Sequence, residues 1–231
     1  MNRAAWFLAD LLFPNRCGCC GEIVAYDAYF CDACAEKLEA LRTGADAWEK
    51  LHSGEEFPWE GAFSVYAYRG AARDGVLAMK DGSRNFGIST GELLAEEVRQ
   101  KLKADQISCV TWVPIGKMRR RRQGYAHAEL LGKSLAKALD RPARGDLLTE
   151  RDSALRQHQL NAEERKLFAE RFQHTRKSLK GQTVLLCDDV LTTGNTLRRC
   201  ASLLREAGAA HVYAAVAAVR LRSAEKEQSA G

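Results

Sequence analysis

The stretch that decides the fold is Val184-Leu-Leu-Cys-Asp-Asp-Val-Leu-Thr-Thr-Gly-Asn-Thr-Leu197. Four apolar residues lead into two adjacent carboxylates, Asp188 and Asp189, and a threonine loop around one glycine follows. The apolar run predicts a buried strand over Thr183–Cys187, and Thr196–Gly208 predicts a helix that ends at a glycine. A strand, a short glycine loop and a helix in this order are typical of the sheet edge where open α/β folds bind ligands.

The loop after the carboxylates is suited to a phosphate monoester. Its central glycine permits a close approach of the backbone. Backbone N–H groups, threonine hydroxyls and the positive end of the following helix all attract an anion. The residues predicted to bind a 5-phosphate are therefore Thr192, Thr193, Gly194, Asn195 and Thr196.

The two adjacent acids need a different partner, because Asp188 and Asp189 would repel a phosphate. They must face a hydroxylated, cationic or metal-bound group about one sugar away. A ribose 5-phosphate fits, with its phosphate in the loop and its 2- and 3-hydroxyls on the carboxylates. The alternative is an ordinary strand with a capped turn, but adjacent acids before a Thr-Gly loop give such a turn no folding advantage.

Strands and helices alternate along the rest of the chain. Further strands are predicted at Phe63–Tyr68, Cys109–Val113 and His211–Val219, with a weak one at Asp146–Leu148. Helices are predicted at Asp32–Leu41, Ala72–Lys80, Gly87–Leu102, Ala126–Leu139 and, more weakly, Ala162–Phe172. This order, with continuous apolar strands, predicts an α/β fold whose parallel sheet is covered by helices on both faces.

Five of the eight cysteines lie within the first 34 residues, and the other three are solitary and expected in the core. Cys17-Gly-Cys-Cys20 and Cys31-Asp-Ala-Cys34 are two C-x2-C knuckles separated by ten residues. Two such knuckles complete a tetrahedral zinc site with no open position, so the zinc would be structural. Its predicted ligands are Cys17, Cys20, Cys31 and Cys34, with Cys19 as a bystander or an exchangeable neighbour. Free thiols or a redox pair are the alternative.

The uneven cysteine distribution and the mixed polarity of Gly44–Pro58 predict three units. These are a zinc-ribbon-like domain over residues 1–57, an α/β domain over 58–222 and a disordered polar tail over 223–231. A metal site would supply much of the folding energy of the first unit, since about 50 residues form only a small core.

The composition excludes several classes of protein. Apolar residues make up 46% of the 231 residues, and Lys plus Arg exceed Asp plus Glu by only 35 to 30. Contact with nucleic acid would therefore need a local basic patch. Ala4–Phe13 is too short for a membrane helix, contains Asp10 and has no small-residue cleavage site, so it predicts an amphipathic helix rather than a signal peptide. We expect a cytoplasmic protein without membrane insertion.

The stretch Val184–Leu197 resembles the phosphoribosyl pyrophosphate signature of type I phosphoribosyltransferases. That signature has four apolar residues, two acids, two apolar residues and then Thr-Thr-Gly-x-Thr, and this chain matches it at every position. Upstream, Val113-Pro-Ile-Gly-Lys-Met-Arg-Arg-Arg-Arg-Gln-Gly-Tyr125 carries four consecutive arginines. Zinc knuckles, a Val-Pro with an arginine-rich loop, Gly-Tyr before a helix and the signature strand follow in the order of the ComF family. The resemblance covers about residues 8–220, and the family includes competence and DNA-uptake factors and a gluconate-utilisation homologue.

This resemblance implies a site for phosphoribosyl pyrophosphate or a nucleotide-like ligand. A nitrogen nucleophile would attack the anomeric carbon as pyrophosphate leaves, while Asp188 and Asp189 favour the ribose cation. Mg²⁺ and basic side chains would bind the diphosphate. The candidates after the second strand are Lys117, Arg119, Arg120, Arg121 and Arg122, of which one or two would contact it.

The chain departs from the family pattern in two places. The family typically has Arg-Gly-Phe-Asn-Gln where this chain has Gln123-Gly-Tyr-Ala-His127, and an asparagine where it has Phe168. We expect His127 on the surface, with a catalytic base as the alternative. Lys80 matches a lysine that the family usually has, and functional and surface roles are both open for it.

Two functions without turnover remain alternatives to phosphoribosyl transfer. One is handling of single-stranded DNA during natural transformation, with the arginine run and the zinc ribbon on backbone phosphates. The other is sensing of phosphoribosyl pyrophosphate through the same pocket. The region between Gly61 and Lys103, where an acceptor site is expected, shows no clear pattern for one. No pattern in the sequence indicates an oligomeric state.

Overall fold

The computed structural model describes residues 14–44, 47, 56–116, 120, 126–150, 171–175 and 177–221. Among the predicted elements, the helix at Ala4–Phe13, residues 162–170 of the weak helix and the tail at 223–231 lie outside them. None of the helices in the described ranges is long and apolar enough to cross a bilayer.

The elements alternate as the sequence predicts. In chain order they are α1 (Asp32–Glu39), β1 (Ala62–Ala67), α2 (Gly70–Lys80), α3 (Asn85–Arg99), a 3₁₀ turn (Ala104–Gln106), β2 (Cys109–Trp112), α4 (His127–Leu139), β3 (Leu148–Glu150), β4 (Phe172–His174), β5 (Thr183–Leu191), α5 (Asn195–Glu206) and β6 (His211–Val219). Four strands form one parallel sheet in the order β1-β6-β5-β2. The predicted α/β class with a parallel sheet is confirmed.

Both faces of this sheet are covered, which is why its strands are apolar throughout. On β5, Leu185 and Cys187 pack on the side of α2, α3 and α4, whereas Val184 and Leu186 pack on the side of α5. All six residues of β1 are buried. The strand predicted at Phe63–Tyr68 thus lies at Ala62–Ala67 and is buried along its whole length.

A second, two-stranded antiparallel sheet pairs β3 with β4 on the α5 side. The weak strand predicted at Asp146–Leu148 lies two residues later, at Leu148–Glu150. Phe172, predicted as the end of a helix, begins β4 and is buried. Strands of only three residues depend on pairing with each other, and no local pattern of the sequence predicts that pairing.

The helices agree with their predicted positions to within a few residues at each end. α5 shows the predicted glycine ending: Gly208 has φ 98°, its N–H donates to the Arg205 carbonyl, and the Ala209 N–H donates to the Leu204 carbonyl. This pair of hydrogen bonds is the Schellman motif.

The cysteine-rich segment packs directly on the α/β body. Cys17, Cys34 and Leu38 belong to the same buried cluster as Phe86 of α3. Polar contacts add to this packing, including an ion pair of 2.7 Å between Arg42 and the buried Glu97. The predicted boundary between residues 57 and 58 stays a prediction, but the two units share one core.

Candidate functional site

The carboxyl edge of the sheet is stepped at the two adjacent aspartates. β2 ends with the pair Trp112–Cys187, whereas β5 continues to Leu191 along β6. The expectation that the strand stops at Cys187 is therefore wrong, because its pairing with β6 continues as far as Leu191. Asp188 and Asp189 lie on β5 beyond the end of β2, where the sheet edge opens.

Asp189 is held by two donors. Its Oδ2 atom lies 2.7 Å from the Nζ atom of Lys80, the last residue of α2. Its Oδ1 atom accepts the backbone N–H of Val190 at 2.8 Å. Burial is the largest single influence and lowers the pKa of Lys80, but the charge and hydrogen bond of Asp189, with smaller contributions from Tyr68 and Asp188, together outweigh it, so the net shift is upward. Lys80 thus contacts one of the two predicted ribose carboxylates, and the choice between its two roles stays open.

Asp188 has a different environment. Its Oδ1 atom accepts the backbone N–H of Asp189 at 2.9 Å. Burial, and then the negative charge of Asp189, hold the pKa of Asp188 well above the usual range of a carboxyl. Two identical side chains in adjacent positions are therefore chemically distinct: one is ion-paired, and the other resists ionisation.

The predicted phosphate loop has the backbone form that anion binding needs. Gly194 is buried and has φ 74°, a left-handed conformation that suits glycine. α5 starts at the next residue, with no side-chain cap and no acid in its first turn. The first N–H groups of a helix have no partner within it, so they are available to a ligand. Thr192, Thr193 and Asn195 are exposed around this turn, and the roles of the five loop residues stay predictions.

The segment that follows β2 is tied to β3 by a carboxylate. The backbone N–H of Gly116 donates to Glu150 Oε2 at 2.5 Å, and Arg171 Nε donates to Glu150 Oε1 at 2.6 Å. The Glu150 side chain is only 9% exposed. Glu150 and Arg171 act with Asp188 on the buried Cys200 thiol, whose pKa is raised mainly by burial. These charges therefore lie near Cys200, in the middle of α5.

Of the five basic residues predicted to bind the diphosphate, one lies among the described residues. Arg120 is 56% exposed and forms an ion pair of 3.0 Å with Glu129 of α4. The other four, Lys117, Arg119, Arg121 and Arg122, lie outside the described residues. Arg120 thus lies beside the start of α4, and its predicted role stays a prediction.

The expectation of a surface position for His127 is wrong. His127 is the first residue of α4 and is 8% exposed. It shares one helical face with Leu131 and Leu135, four and eight residues later, and both are fully buried. That spacing was the signal in the sequence that points His127 into the protein.

Comparison with known proteins places this geometry in a family. A family model described as a phosphoribosyl transferase domain matches residues 127–230, and a double zinc ribbon domain matches residues 8–45. The chain is 30% identical over 210 residues to competence protein ComFC of Bacillus subtilis, covering 89% of this chain and 85% of that protein. The chain belongs to the ComF family.

Two more relatives of this ComF protein are similar over most of their length. Competence protein F of Haemophilus influenzae is 26% identical over 210 residues, which cover 85% of this chain and 80% of that protein. DNA utilization protein YhgH of Escherichia coli is 24% identical over 200 residues, which cover 85% and 86%. The body of the ComF protein is thus a phosphoribosyltransferase-type α/β domain behind a zinc ribbon.

The ribbon of this ComF protein holds four thiols in the arrangement that zinc requires. The Sγ atoms of Cys17, Cys20, Cys31 and Cys34 all lie within 4.8 Å of one another. The Cys20–Cys31 separation is 3.8 Å, and a tetrahedron with Zn–S bonds of about 2.3 Å has edges of about 3.8 Å. The predicted structural zinc site fits the residues present.

The backbone of the knuckles favours the thiolate form of one predicted ligand, Cys17. Burial raises the pKa of Cys17, but backbone N–H groups, chiefly those of Cys20 and Cys19, outweigh it and lower the pKa to about 6. Cys19 lies outside the group of four, as expected, and burial raises its pKa to about 12. The three solitary cysteines are buried in the core, as predicted.

Proposed function

We propose that this ComF protein binds phosphoribosyl pyrophosphate with Mg²⁺ at the carboxyl edge of β5 and transfers the phosphoribosyl group to a nitrogen acceptor. One observation carries the proposal: two adjacent carboxylates precede a left-handed glycine turn that opens a helix without a cap. The turn suits a phosphate and the carboxylates suit hydroxyl groups, so together they match ribose 5-phosphate.

The unlike surroundings of the two acids support different roles. Asp189, fixed by Lys80 and the Val190 N–H, offers a stationary carboxylate to one ribose hydroxyl. Asp188 accepts a hydrogen bond from a second ribose hydroxyl. Because burial and Asp189 raise its pKa, it is the better suited of the two to exchange a proton. Both lie beyond the end of β2, so a sugar reaches them from the open side.

The proposed reaction is a substitution at the anomeric carbon. The lone pair of the acceptor nitrogen forms the C–N bond, and the electrons of the C–O bond leave with the diphosphate. The nitrogen then loses a proton to solvent or to a neighbouring base. Carboxylates beside the sugar stabilise the developing positive charge, and the loop that holds the 5-phosphate restricts the motion of the sugar.

The diphosphate would lie on the β2 side of the pocket. Lys117 to Arg122 follow that strand, and the ion pair between Arg120 and Glu129 in the first turn of α4 supports this placement. Mg²⁺ bound by the diphosphate oxygens would neutralise part of the leaving-group charge. The tie between Glu150 and the Gly116 N–H fixes the start of this segment.

Pyrophosphate release tests the proposal. The full-length, zinc-loaded chain is incubated with phosphoribosyl pyrophosphate, Mg²⁺ and a panel of acceptors that includes ammonia and the nucleobases. We expect release with at least one acceptor, lost in Asp188→Asn and Asp189→Asn. Asp105→Asn is the matched control, since Asp105 is exposed in the 3₁₀ turn before the amino end of β2. No release with any acceptor would reject transfer, and ligand binding without release would indicate a sensor instead.

Handling of single-stranded DNA is the second candidate. It is favoured by the names of the relatives, two competence proteins and a DNA utilization protein, and by four consecutive arginines at Arg119–Arg122. Replacing all four by glutamine should weaken binding of a fluorescent oligonucleotide and flatten its salt dependence. Replacing Lys101 and Lys103 by glutamine serves as the control. Equal affinity in both variants, or affinity that ignores salt, would reject this function.

A further inference from the structure

Lys80 joins the first helix after β1 to the ribose site. It is the last residue of α2, and its ammonium lies 2.7 Å from Asp189 Oδ2. The two residues are 109 positions apart in the chain, so this contact depends on the folded sheet. Lys80 is 38% exposed and Asp189 18%, which makes the pair partly shielded from solvent.

The contact fixes the orientation of one carboxylate. With the Val190 N–H on Oδ1 and the Lys80 ammonium on Oδ2, Asp189 has a donor on each oxygen. Its plane is therefore set before any ligand arrives. Binding to a carboxylate that is already held in place costs less conformational entropy than binding to a freely rotating side chain.

The contact also offsets the repulsion between adjacent acids. Asp188 and Asp189 are neighbours on one strand, and the charge of Asp189 disfavours ionisation of Asp188. The charges of both aspartates act on Lys80, that of Asp189 more strongly. The Lys80 ammonium thus reduces the electrostatic repulsion between the two carboxyls, so that both can face one ribose.

Packing fixes the position of α2 and hence of Lys80. Val76 and Met79 of α2 are fully buried. Gly75 lies so close to Phe86 of α3 that an added Cβ atom would come within 2.1 Å of its ring. Asp81 and Gly82, the latter at φ 113°, turn the chain immediately after Lys80. The lysine therefore projects from a fixed helix end.

We propose that Lys80 is a positioning residue of the ribose site, which holds Asp189 in the orientation that receives a ribose hydroxyl. The inference rests on the proposed function, because it assigns a role within the same site. Lys80 acts through Asp189, so its removal should matter only while Asp189 keeps its charge.

Calorimetry with ribose 5-phosphate tests this role, because that probe needs neither the diphosphate nor Mg²⁺. The proteins compared are the full-length, zinc-loaded wild type, Lys80→Met, Asp189→Asn and the double variant. We expect each single variant to bind roughly tenfold more weakly than the wild type. The double variant should bind no more weakly than Asp189→Asn, and Lys80→Arg should recover part of the loss.

Lys137→Met is the matched control, since Lys137 also lies in the last turn of its helix and is exposed. It should leave the affinity unchanged, and circular dichroism should show native folding in every variant. Wild-type affinity in Lys80→Met, or a double variant about a hundredfold weaker from additive losses, would overturn this inference alone. No binding of ribose 5-phosphate by the wild type would overturn the proposed function and this inference together.

Discussion

At the residue scale, Asp188 and Asp189 show how one strand can make two identical side chains unlike. Asp189 is paired with Lys80, whereas burial and the neighbouring charge raise the pKa of Asp188. A protein that only needed stability would not place two carboxyls here. Ionised Asp188 is therefore energetically unfavourable in the folded protein, and hydrogen bonds from a hydroxylated ligand would offset that cost.

That cost predicts a pH-dependent effect of Asp188→Asn. A folded pKa above the unfolded value of about 3.9 means that stability from this carboxyl is complete below that pH and is lost as the pH rises through the folded pKa. Asparagine does not ionise. We therefore expect Asp188→Asn to be more stable than the wild type at pH 7, by about 1–2 kcal/mol, and equal to it near pH 3.5.

Urea unfolding at the two pH values measures this difference. Asp105→Asn, an exposed position, should change stability by less than about 0.5 kcal/mol at both. An Asp188→Asn variant that is less stable than the wild type at pH 7 would show that the carboxyl is not strained in the folded protein.

Glu150 should matter more for stability than an exposed acid with the same kind of partner. Glu150→Ala leaves the Gly116 N–H and Arg171 without their carboxylate acceptor. We expect a loss of about 2–3 kcal/mol in urea unfolding. Glu150→Gln should lose less, because its amide oxygen still accepts one N–H.

The control for Glu150 is Glu206→Gln, since Glu206 pairs with Arg199 at 3.4 Å and is 54% exposed. Exposed pairs contribute about 0.2–1 kcal/mol. Equal losses at Glu150 and Glu206 would contradict the view that Glu150 anchors the segment after β2.

The contacts that sequence reasoning did not predict join residues that are far apart in the chain. The acids, the glycine loop and the cysteine knuckles are local patterns with local chemistry, so they are legible in the chain. The Lys80–Asp189 and Gly116–Glu150 contacts arise only because the fold brings separate elements together. Their residue types, a lysine at a helix end and a glutamate on a three-residue strand, are common on protein surfaces.

At the element scale, the turn between β5 and α5 depends on a left-handed glycine. Gly194 has φ 74°, and a side chain there costs about 1–2 kcal/mol. Gly194→Ala should therefore lower stability and, if the proposed phosphate site is correct, also weaken binding of ribose 5-phosphate at this backbone. Thermal unfolding and calorimetry measure the two effects separately.

Gly181→Ala is a closely matched control. Gly181 has the same φ of 74°, free space around an added Cβ atom, and a place before the opposite end of β5. We expect a similar loss of stability with unchanged affinity for the ligand. Similar affinity losses in both variants would mean that the loop is not the phosphate site.

Element boundaries were harder to predict than element identity. β5 extends to Leu191 because β6 continues beside it, a consequence of pairing that composition does not reveal. Two polar residues inside a strand look like its end. β3 and β4, each three residues long, depend on one another in the same way.

At the scale of the whole molecule, zinc binding should stabilise the α/β domain as well as the ribbon. Cys17, Cys34 and Leu38 lie in the same buried cluster as residues of α2, α3 and the sheet. Removing zinc with a chelator should therefore lower the melting temperature of the entire chain, seen as one shifted transition by circular dichroism. Cys20→Ser should act in the same direction, and Cys19→Ser, outside the group of four, should change it less.

An independent ribbon would behave differently. Chelation would then produce a separate early transition and leave the melting of the α/β domain unchanged, which would contradict the shared core. The fold class and the order of motifs could be predicted because each rests on a strong local signal. The packing of the ribbon on α2 and α3 could not, because it is made by Phe86, Leu38 and other ordinary apolar residues.

The central claim is that the carboxyl edge of β5 binds phosphoribosyl pyrophosphate. Isothermal titration calorimetry of the full-length, zinc-loaded chain with this ligand and Mg²⁺ tests it most directly. We expect one molecule to bind per chain. The affinity should fall roughly tenfold or more in Asp189→Asn and stay unchanged in Asp105→Asn. No binding by the wild type, or binding that Asp189→Asn leaves unchanged, would contradict it.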